Sequence, residues 1–349
     1  MRRISVTVAL TGLAVAILTV VGCERDTERV GFDAGPVFEQ EIHEAHPGGV
    51  FMLADEGIFI GSIDGVRFYD PATGEWTQIT DGWGVDPRYC PEANMLAFRA
   101  YRDEDETGEA VLHLLDLTTG EIREAEGGDD RGQLWPRWSP DGTAIAYWAT
   151  NGLKSEIRIM DVHEGSSRLL VSAEDNPRSP AWLPDGTGIV YARCPYDAND
   201  LRADLWVARL SGSERQPLIT SDASDAYPDF APDGSKLAFL RDHELWIAEP
   251  DGTNPRLLFA PEDEDASIQS FSWSPDCNAL AVLVFAYYGM EDSKTSLWTV
   301  NLADEAAAEM YDFGDGHADA PHWVRIRAGV SPFSEATIRP GVVPCCPGH

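Results

Sequence analysis

Positive charge is scarce in this chain. It carries 26 Lys and Arg against 59 Asp and Glu, a formal net charge of −33. The imbalance argues against nucleic acid and anionic lipid as partners, since both would be repelled. What remains is plain solubility or a cationic or basic partner. Cysteine is scarce as well, with six in 349 residues. That rules out a disulfide scaffold and leaves room for one or two bridges at most. Long apolar runs are missing beyond Ile4 to Val21. Catalytic signatures are missing too. There is no Gly-x-Ser-x-Gly elbow, so no hydrolase domain of that kind lies within these residues. His43-Glu44-Ala45-His46 falls one residue short of the zinc helix His-Glu-x-x-His. Asp103 to Gly108 starts like a calcium loop, but its twelfth position is Leu114 rather than glutamate.

What the chain does have is a repeat. Its clearest copy is Pro136 to Trp148, reading PRWSPDGTAIAYW. Ser139-Pro140-Asp141-Gly142 has type I turn chemistry. Proline presets φ, aspartate bonds its own backbone, and glycine takes the left-handed residue that follows. The turn joins two strands rich in large apolar residues. Similar starts fall at 87, 180, 228, 271 and 321. A second pattern lies between them, at 66–71, 112–117, 157–162, 205–210, 245–250 and 297–302. Each copy of it is followed by a turn and a short strand.

Both patterns count to six. Four strands per unit, at a period of roughly 40–50 residues, predict an all-β fold, a six-bladed β-propeller of four-stranded antiparallel blades. The chain begins with the later strands of one unit and ends with the first strand of another. The strand near Trp323 is therefore expected to complete the N-terminal blade and close the ring without a free edge. Either Val50 to Ala54 or Gly57 to Ser62 supplies the second strand of that blade.

The units Trp/Phe-Ser/Ala-Pro-Asp-Gly followed by Leu/Ile-Ala-Phe/Tyr resemble the WD40-like (PD40) repeat of the TolB type. The same repeat occurs in the propellers of prolyl oligopeptidase relatives. The resemblance covers about residues 47 to 326 and implies a fold rather than an activity. TolB itself has an α/β domain ahead of its propeller. The space here is too short for one, so the partners of TolB are not carried over.

Arg2 and Arg3 precede an apolar h-region, and Val20-Val21-Gly22-Cys23 looks like a bacterial lipobox. The reading is a lipoprotein signal at 1–22, with Cys23 acylated. The alternatives are a plain signal peptide or an uncleaved anchor. An acidic tether at 23–46 follows, then the propeller at 47–326 and a loose tail at 327–349. The expected location is the bacterial cell envelope, periplasmic or at the outer surface.

Candidate sites follow from the fold. Connections from second to third strands look long at Arg102 to Ala110, Pro195 to Asp204 and Tyr287 to Ser296. They carry Tyr101, Glu104, Asp105, Tyr196, Asp197, Asp200, Asp204, Tyr287, Tyr288, Glu291 and Asp292. Carboxylates beside aromatics suit a basic protein or peptide, and long loops are where function concentrates. At the channel mouth the expected residues are Asp86, Arg88, Arg137, Asp225, Asp229, Asp319 and His322. They could form a small-ligand or ion site, or serve as arginine–aspartate pairs between blades.

The preferred reading is a non-catalytic protein- or peptide-binding or scaffold module, tethered by lipid and monomeric. No cofactor is expected, a divalent cation in the channel being the one candidate. The alternative is a hydrolase or lyase acting on an exported polymer at the channel mouth.

Overall fold

The structure is a computed structural model. It describes residues 56–326 apart from 63, 81–83, 102–109, 126–131, 151–153, 195–201, 213, 290–291 and 315–317. All of these belong to one compact unit, Pro47–His349. The expected lipoprotein signal with Cys23, the expected tether and the expected tail lie outside the described residues.

Six antiparallel sheets of four strands are present among the described residues. Blade one begins with β1 (Glu56–Ser62), β2 (Gly65–Tyr69) and β3 (Trp76–Gln78). Blade two is β4 (Val85–Cys90), β5 (Met95–Tyr101), β6 (Ala110–Asp116) and β7 (Ile122–Glu124). Blade three is β8 (Gly132–Trp138), β9 (Ala144–Thr150), β10 (Ser155–Asp161) and β11 (Ser167–Val171). Blade four is β12 (Pro177–Trp182), β13 (Gly188–Arg193), β14 (Asp204–Arg209) and β15 (Arg215–Ile219). Blade five is β16 (Asp225–Phe230), β17 (Leu237–Arg241), β18 (Glu244–Ala248) and β19 (Arg256–Phe259). Blade six is β20 (Ala266–Trp273), β21 (Ala279–Gly289), β22 (Asp292–Asn301) and β23 (Ala307–Gly314). The last strand, β24 (Asp319–Arg325), pairs antiparallel with β1 and completes blade one. The ring closes as expected, with Gly57 to Ser62 in the second-strand position.

The core is six slabs rather than one. Alternate residues of a strand face opposite neighbours. Ile58 and Ile60 of β1 pack with Ala281 and Leu297 of blade six, while Phe59 packs with Tyr89, Leu96 and Phe98 of blade two. The other four blade interfaces hold equivalent buried clusters. Both faces of every blade are therefore apolar, and no blade can bury its surface alone.

Three repeated devices set the geometry. The first is the turn. Gly142, Gly186 and Gly234 take φ of 71°, 68° and 71° and donate back to Ser139, Leu183 and Ala231. In blade six Cys277 takes the same place at φ 62°, a left-handed position that glycine fills without strain.

The second device is the tryptophan of the repeat, which ties blades together. Trp138 donates from its indole to the Arg88 carbonyl at 2.8 Å, Trp182 to that of Arg137 at 2.9 Å, and Trp273 to that of Asp229 at 3.2 Å. Each bond reaches from one innermost strand to the preceding one.

The third is a bulge in every innermost strand. Asp86, Trp135, Ser179, Tyr227 and Ala320 have positive φ, and each stands immediately before a proline. Register shifts accompany them. Proline has no N–H for the ladder, so it is accommodated at such an irregularity. Blade six has Phe271 in place of the proline, and Ser270 is not among the residues with positive φ.

One expected loop is a correction. Tyr287 to Ser296 is strand, not loop. Phe285, Ala286 and Tyr287 pair with Thr295, Lys294 and Ser293, and only 290–291 fall between β21 and β22. Its aromatic and β-branched residues suit a ladder better than a coil. Cys90, Cys194 and Cys277 are free thiols.

Candidate functional site

The residue two places after each bulge position is equivalent in all six innermost strands. Arg88, Arg137, Ala181, Asp229, Ser272 and His322 pair with Ala97, Ala146, Val190, Ala238, Ala281 and Phe59 of the second strands. Innermost strands line the channel of a propeller, so these six form one tier around its axis. Blade order places His322, Arg88 and Arg137 side by side. Asp229, in blade five, stands opposite Arg88 in blade two.

The tier has unusual electrostatics. Burial raises the carboxyl of Asp229 above the usual carboxylate range, and the charges of Arg137 and Arg88 oppose the shift only in part. His322 goes the other way, with its pKa lowered to about 3, first by burial and then by the charge of Arg88. It is neutral at physiological pH, and Nε2–H donates to the Tyr89 carbonyl at 3.1 Å. Arg88 is buried and Arg137 half-buried. Each donates from Nη1 to the carbonyl of its own preceding proline, at 2.8 and 2.9 Å. The buried Nε of Arg137 has no hydrogen-bond partner.

The expected aspartates of the mouth behave differently. Asp86 and Asp225 are 1% and 0% exposed. Asp86 pairs with Arg99 at 3.0 Å, and Asp225 accepts two bonds from Arg241 at 2.7 and 3.0 Å. These pairs lie within a blade, from first to second strand, and not between blades as expected. Blade four repeats the arrangement from its preceding loop, where Asp175 meets Arg193 and Arg215. Paired and buried, these carboxylates are closed to a ligand. Asp319 opens β24, and its side chain lies outside the description.

Above the tier, on the side where the innermost strands begin, two bulge residues meet. Trp135 of blade three and Tyr227 of blade five stand edge to face at 5.3 Å, bridging two blades that are not neighbours. Trp135 also stacks on Trp148 at 4.9 Å and 6°. Sequence reasoning missed this pair. The available signal was an aromatic residue before the strand-opening proline, in Trp135-Pro136 and Tyr227-Pro228.

The same side carries the tip of the β21–β22 hairpin. β21 and β22, of 11 and 10 residues, outrun the 8-residue β20 beside them. Tyr287 and Tyr288 sit near the tip, 52% and 48% exposed. The Tyr288 hydroxyl donates to Asp263 at 2.5 Å and lowers the pKa of that carboxyl. Asp204 opens β14 and accepts from the Ser221 backbone at 3.4 Å. Tyr101 ends β5 and Asp292 opens β22, but their side chains lie outside the description. Glu104, Asp105, Tyr196, Asp197, Asp200 and Glu291 lie outside it entirely. Of the residues expected on this surface, Asp204, Tyr287 and Tyr288 are those whose side chains are described.

A groove of 540 Å³ opens on the other side, between the turns of blades three and four. Its aspartates are occupied. The Ser139 hydroxyl and then the Thr143 backbone donate to Asp141, the Thr187 hydroxyl and then its backbone donate to Asp185, and these bonds lower both carboxyls. Among the described residues no three His, Cys, Asp or Glu converge to hold a metal.

Comparison with known proteins fits this architecture. Residues 129–244 match the family model described as PD40, TolB beta propeller domain. Over that span the chain carries the TolB-type PD40 propeller repeat. A Protein TolB homolog of Chlorobium chlorochromatii is 28% identical over 107 residues, 31% of this chain and 23% of that protein. The uncharacterised peptidase YuxL of Bacillus subtilis is 27% identical over 180 residues, 50% of this chain and 24% of that protein. These alignments span about a quarter of the length of the curated relatives. The solved structure of TolB from Acinetobacter baumannii superposes with a TM-score of 0.62 at 14% identity, covering 77% of this chain and 66% of that one. At that identity the likeness shows the fold alone.

Proposed function

We propose that the protein is a non-catalytic binding module of the bacterial cell envelope, held to a membrane by lipid on Cys23. It presents the face bearing the β21–β22 tip to a protein or peptide partner. The observation that carries the reading is the hairpin. Tyr287 and Tyr288 are two of five exposed large apolar side chains in the described structure, and they are adjacent. Tyrosine combines apolar area with a polar tip and few rotors, which suits it to interfaces. The neighbouring carboxylates and the net charge of −33 favour a basic partner. No helix among the described residues is long and apolar enough to cross a membrane.

Crosslinking from the purified protein in an envelope extract tests the surface. Replacing Tyr287 and Tyr288 with alanine should remove the crosslinked partner and leave thermal unfolding in place. A partner retained by that variant would overturn the proposed surface. Lipid attachment is read separately, because Cys23→Ser should abolish metabolic labelling with a fatty acid.

A further inference from the structure

The groove between the turns of blades three and four is lined by charge that the turns leave unspent. Its volume of 540 Å³ falls within the range of about 300–1,000 Å³ usual for ligand sites. Ile159, Trp182 and Leu210 give it an apolar wall, and Asp141, Asp161, Glu164 and Asp185 stand along it against one cation, Arg168. Asp161 is half-buried, and the other three carboxylates and Arg168 are exposed. The aspartates are occupied on one oxygen only. Each hydrogen bond to Asp141, from Ser139 and Thr143, ends on Oδ1, and so do those to Asp161 from the His163 and Glu164 backbones. Oδ2 of both aspartates accepts nothing among the described residues. Asp185 holds Thr187 through Oδ1, and its Oδ2 meets Arg209 only at 3.8 Å. Glu164 meets the Ser166 hydroxyl at 3.4 Å. The turns therefore fix the aspartates in place and leave an oxygen of each for a donor from outside. Arg168 makes no ion pair among the described residues.

We infer that this groove binds a basic peptide segment of a partner protein, with arginine or lysine side chains on the free oxygens of Asp141, Asp161, Glu164 and Asp185. Such side chains carry an aliphatic stem as well as a charge, which suits a groove walled by Ile159, Trp182 and Leu210. Bonds from a cationic donor to a carboxylate are shorter and stronger than neutral ones. Carboxylates that do not converge suit cations spaced along a chain. A metal ion needs several ligands at one point, and no three gather here. Arg168 separates a peptide from a simple polyamine. Its guanidinium repels a purely cationic molecule but can donate to the carbonyls of a peptide. The groove lies on the face opposite the β21–β22 tip and is a second surface. Either surface can fail without the other.

The test is fluorescence anisotropy of a rhodamine-labelled peptide, Gly-Arg-Ala-Arg-Gly amide, titrated with the full chain at constant ionic strength. Saturable binding is expected, with a loss of about tenfold when citrulline replaces both arginines. Asp161→Asn/Glu164→Gln should weaken binding roughly fivefold. The turn tolerates the first change, because Asn301 holds the equivalent turn of blade six through its own Oδ1, which accepts from the Ala303 N–H at 2.8 Å. Glu75→Gln/Glu121→Gln removes as much charge from exposed places on the corresponding turns of blades one and two, and should leave binding unchanged. Equal loss in both double variants would trace the attraction to net charge and overturn the site. So would an absence of saturable binding, or full binding in the groove variant. Displacement by spermidine at a lower concentration than by unlabelled peptide would give the groove to a small polyamine and overturn the peptide. A wild-type dimer that Asp161→Asn/Glu164→Gln dissolves, in place of peptide binding, would give it to a second copy of the chain and overturn it likewise.

Discussion

His322 and Asp229 show how one tier of a β-propeller can perturb two groups in opposite senses. Burial penalises the charged form of each, which lowers a base and raises an acid. The consequences for stability follow by linkage. The folded pKa of His322 lies near 3, below its ordinary value of 6.5. The unfolded chain therefore binds the extra proton first as pH falls. Stability tied to His322 is intact above pH 6.5 and declines toward pH 3, by up to about 1.4 kcal/mol per pH unit. His322→Gln keeps a donor for the Tyr89 carbonyl and does not titrate. Its denaturation midpoint should fall less steeply than that of the wild type between pH 6.5 and 4. Parallel curves would refute the assignment. Asp229 has the opposite sign. Its folded pKa is raised, so its contribution is present below the unfolded value and is lost as pH rises through the folded one. At pH 8 Asp229→Asn should melt higher than the wild type, and the gain should vanish near pH 3. A lower melt at pH 8 would mean that ionised Asp229 is paired favourably with Arg88 and Arg137.

At the scale of elements, the tie between innermost strands is the most direct feature to break. Trp138 to the Arg88 carbonyl, at 2.8 Å, is the shortest of the three indole ties. Trp138→Phe keeps most of the apolar volume and removes the donor. It should cost about 1–3 kcal/mol, the usual penalty for orphaning a buried partner, read as a lower urea midpoint with an unchanged slope. Blade five provides the natural comparison, because Phe230 stands at the equivalent place. Phe230→Ala should therefore cost packing only, with no pH dependence. A Trp138→Phe protein as stable as the wild type would show that the tie is incidental.

Much of this was legible in the sequence. The strand–turn unit around Ser139 to Gly142 and the second apolar pattern each recurred six times, and that count located every blade. Trp138 was readable as a large apolar residue, but its role as a donor to the preceding strand was not, since that depends on how blades are placed in the ring. The same holds for Asp86 and Arg99, whose pairing is set by a bulge that shifts register. Bulges at Asp86, Trp135 and Tyr227 put non-glycine residues at positive φ, where local propensity points elsewhere. Tyr287 to Ser296 was misread as loop because a hairpin that outruns its sheet has no partner strand to announce it.

The propeller is a ring whose closure rests on the two ends of the described residues. β1 and β24 pair across 263 residues, counted from Glu56 to Asp319. Trp323 secures the seam, with its backbone N–H on Ser272 Oγ at 3.0 Å and its indole on Glu56 at 3.0 Å. Ala320, Pro321 and Val324 are buried there. Long-range pairing of this kind is costly in chain entropy and slow to form. It also abolishes the free edge that would template association. Truncation after Gly314 should remove the strand, expose β1 along its whole length, and uncover Tyr89 of blade two and Ala281 of blade six, which share buried clusters with Val324 and Trp323. The expected result is a protein that aggregates at micromolar concentration and unfolds over a broad range without a single midpoint. Truncation after Ile326 retains β24 and should unfold like the full chain. Size-exclusion chromatography with light scattering, followed by calorimetry of both truncations, separates the cases. If the shorter protein remains monomeric with one sharp transition, five complete blades suffice and the seam contributes specificity rather than stability. If both truncations aggregate, the residues after 326 share in closing the ring.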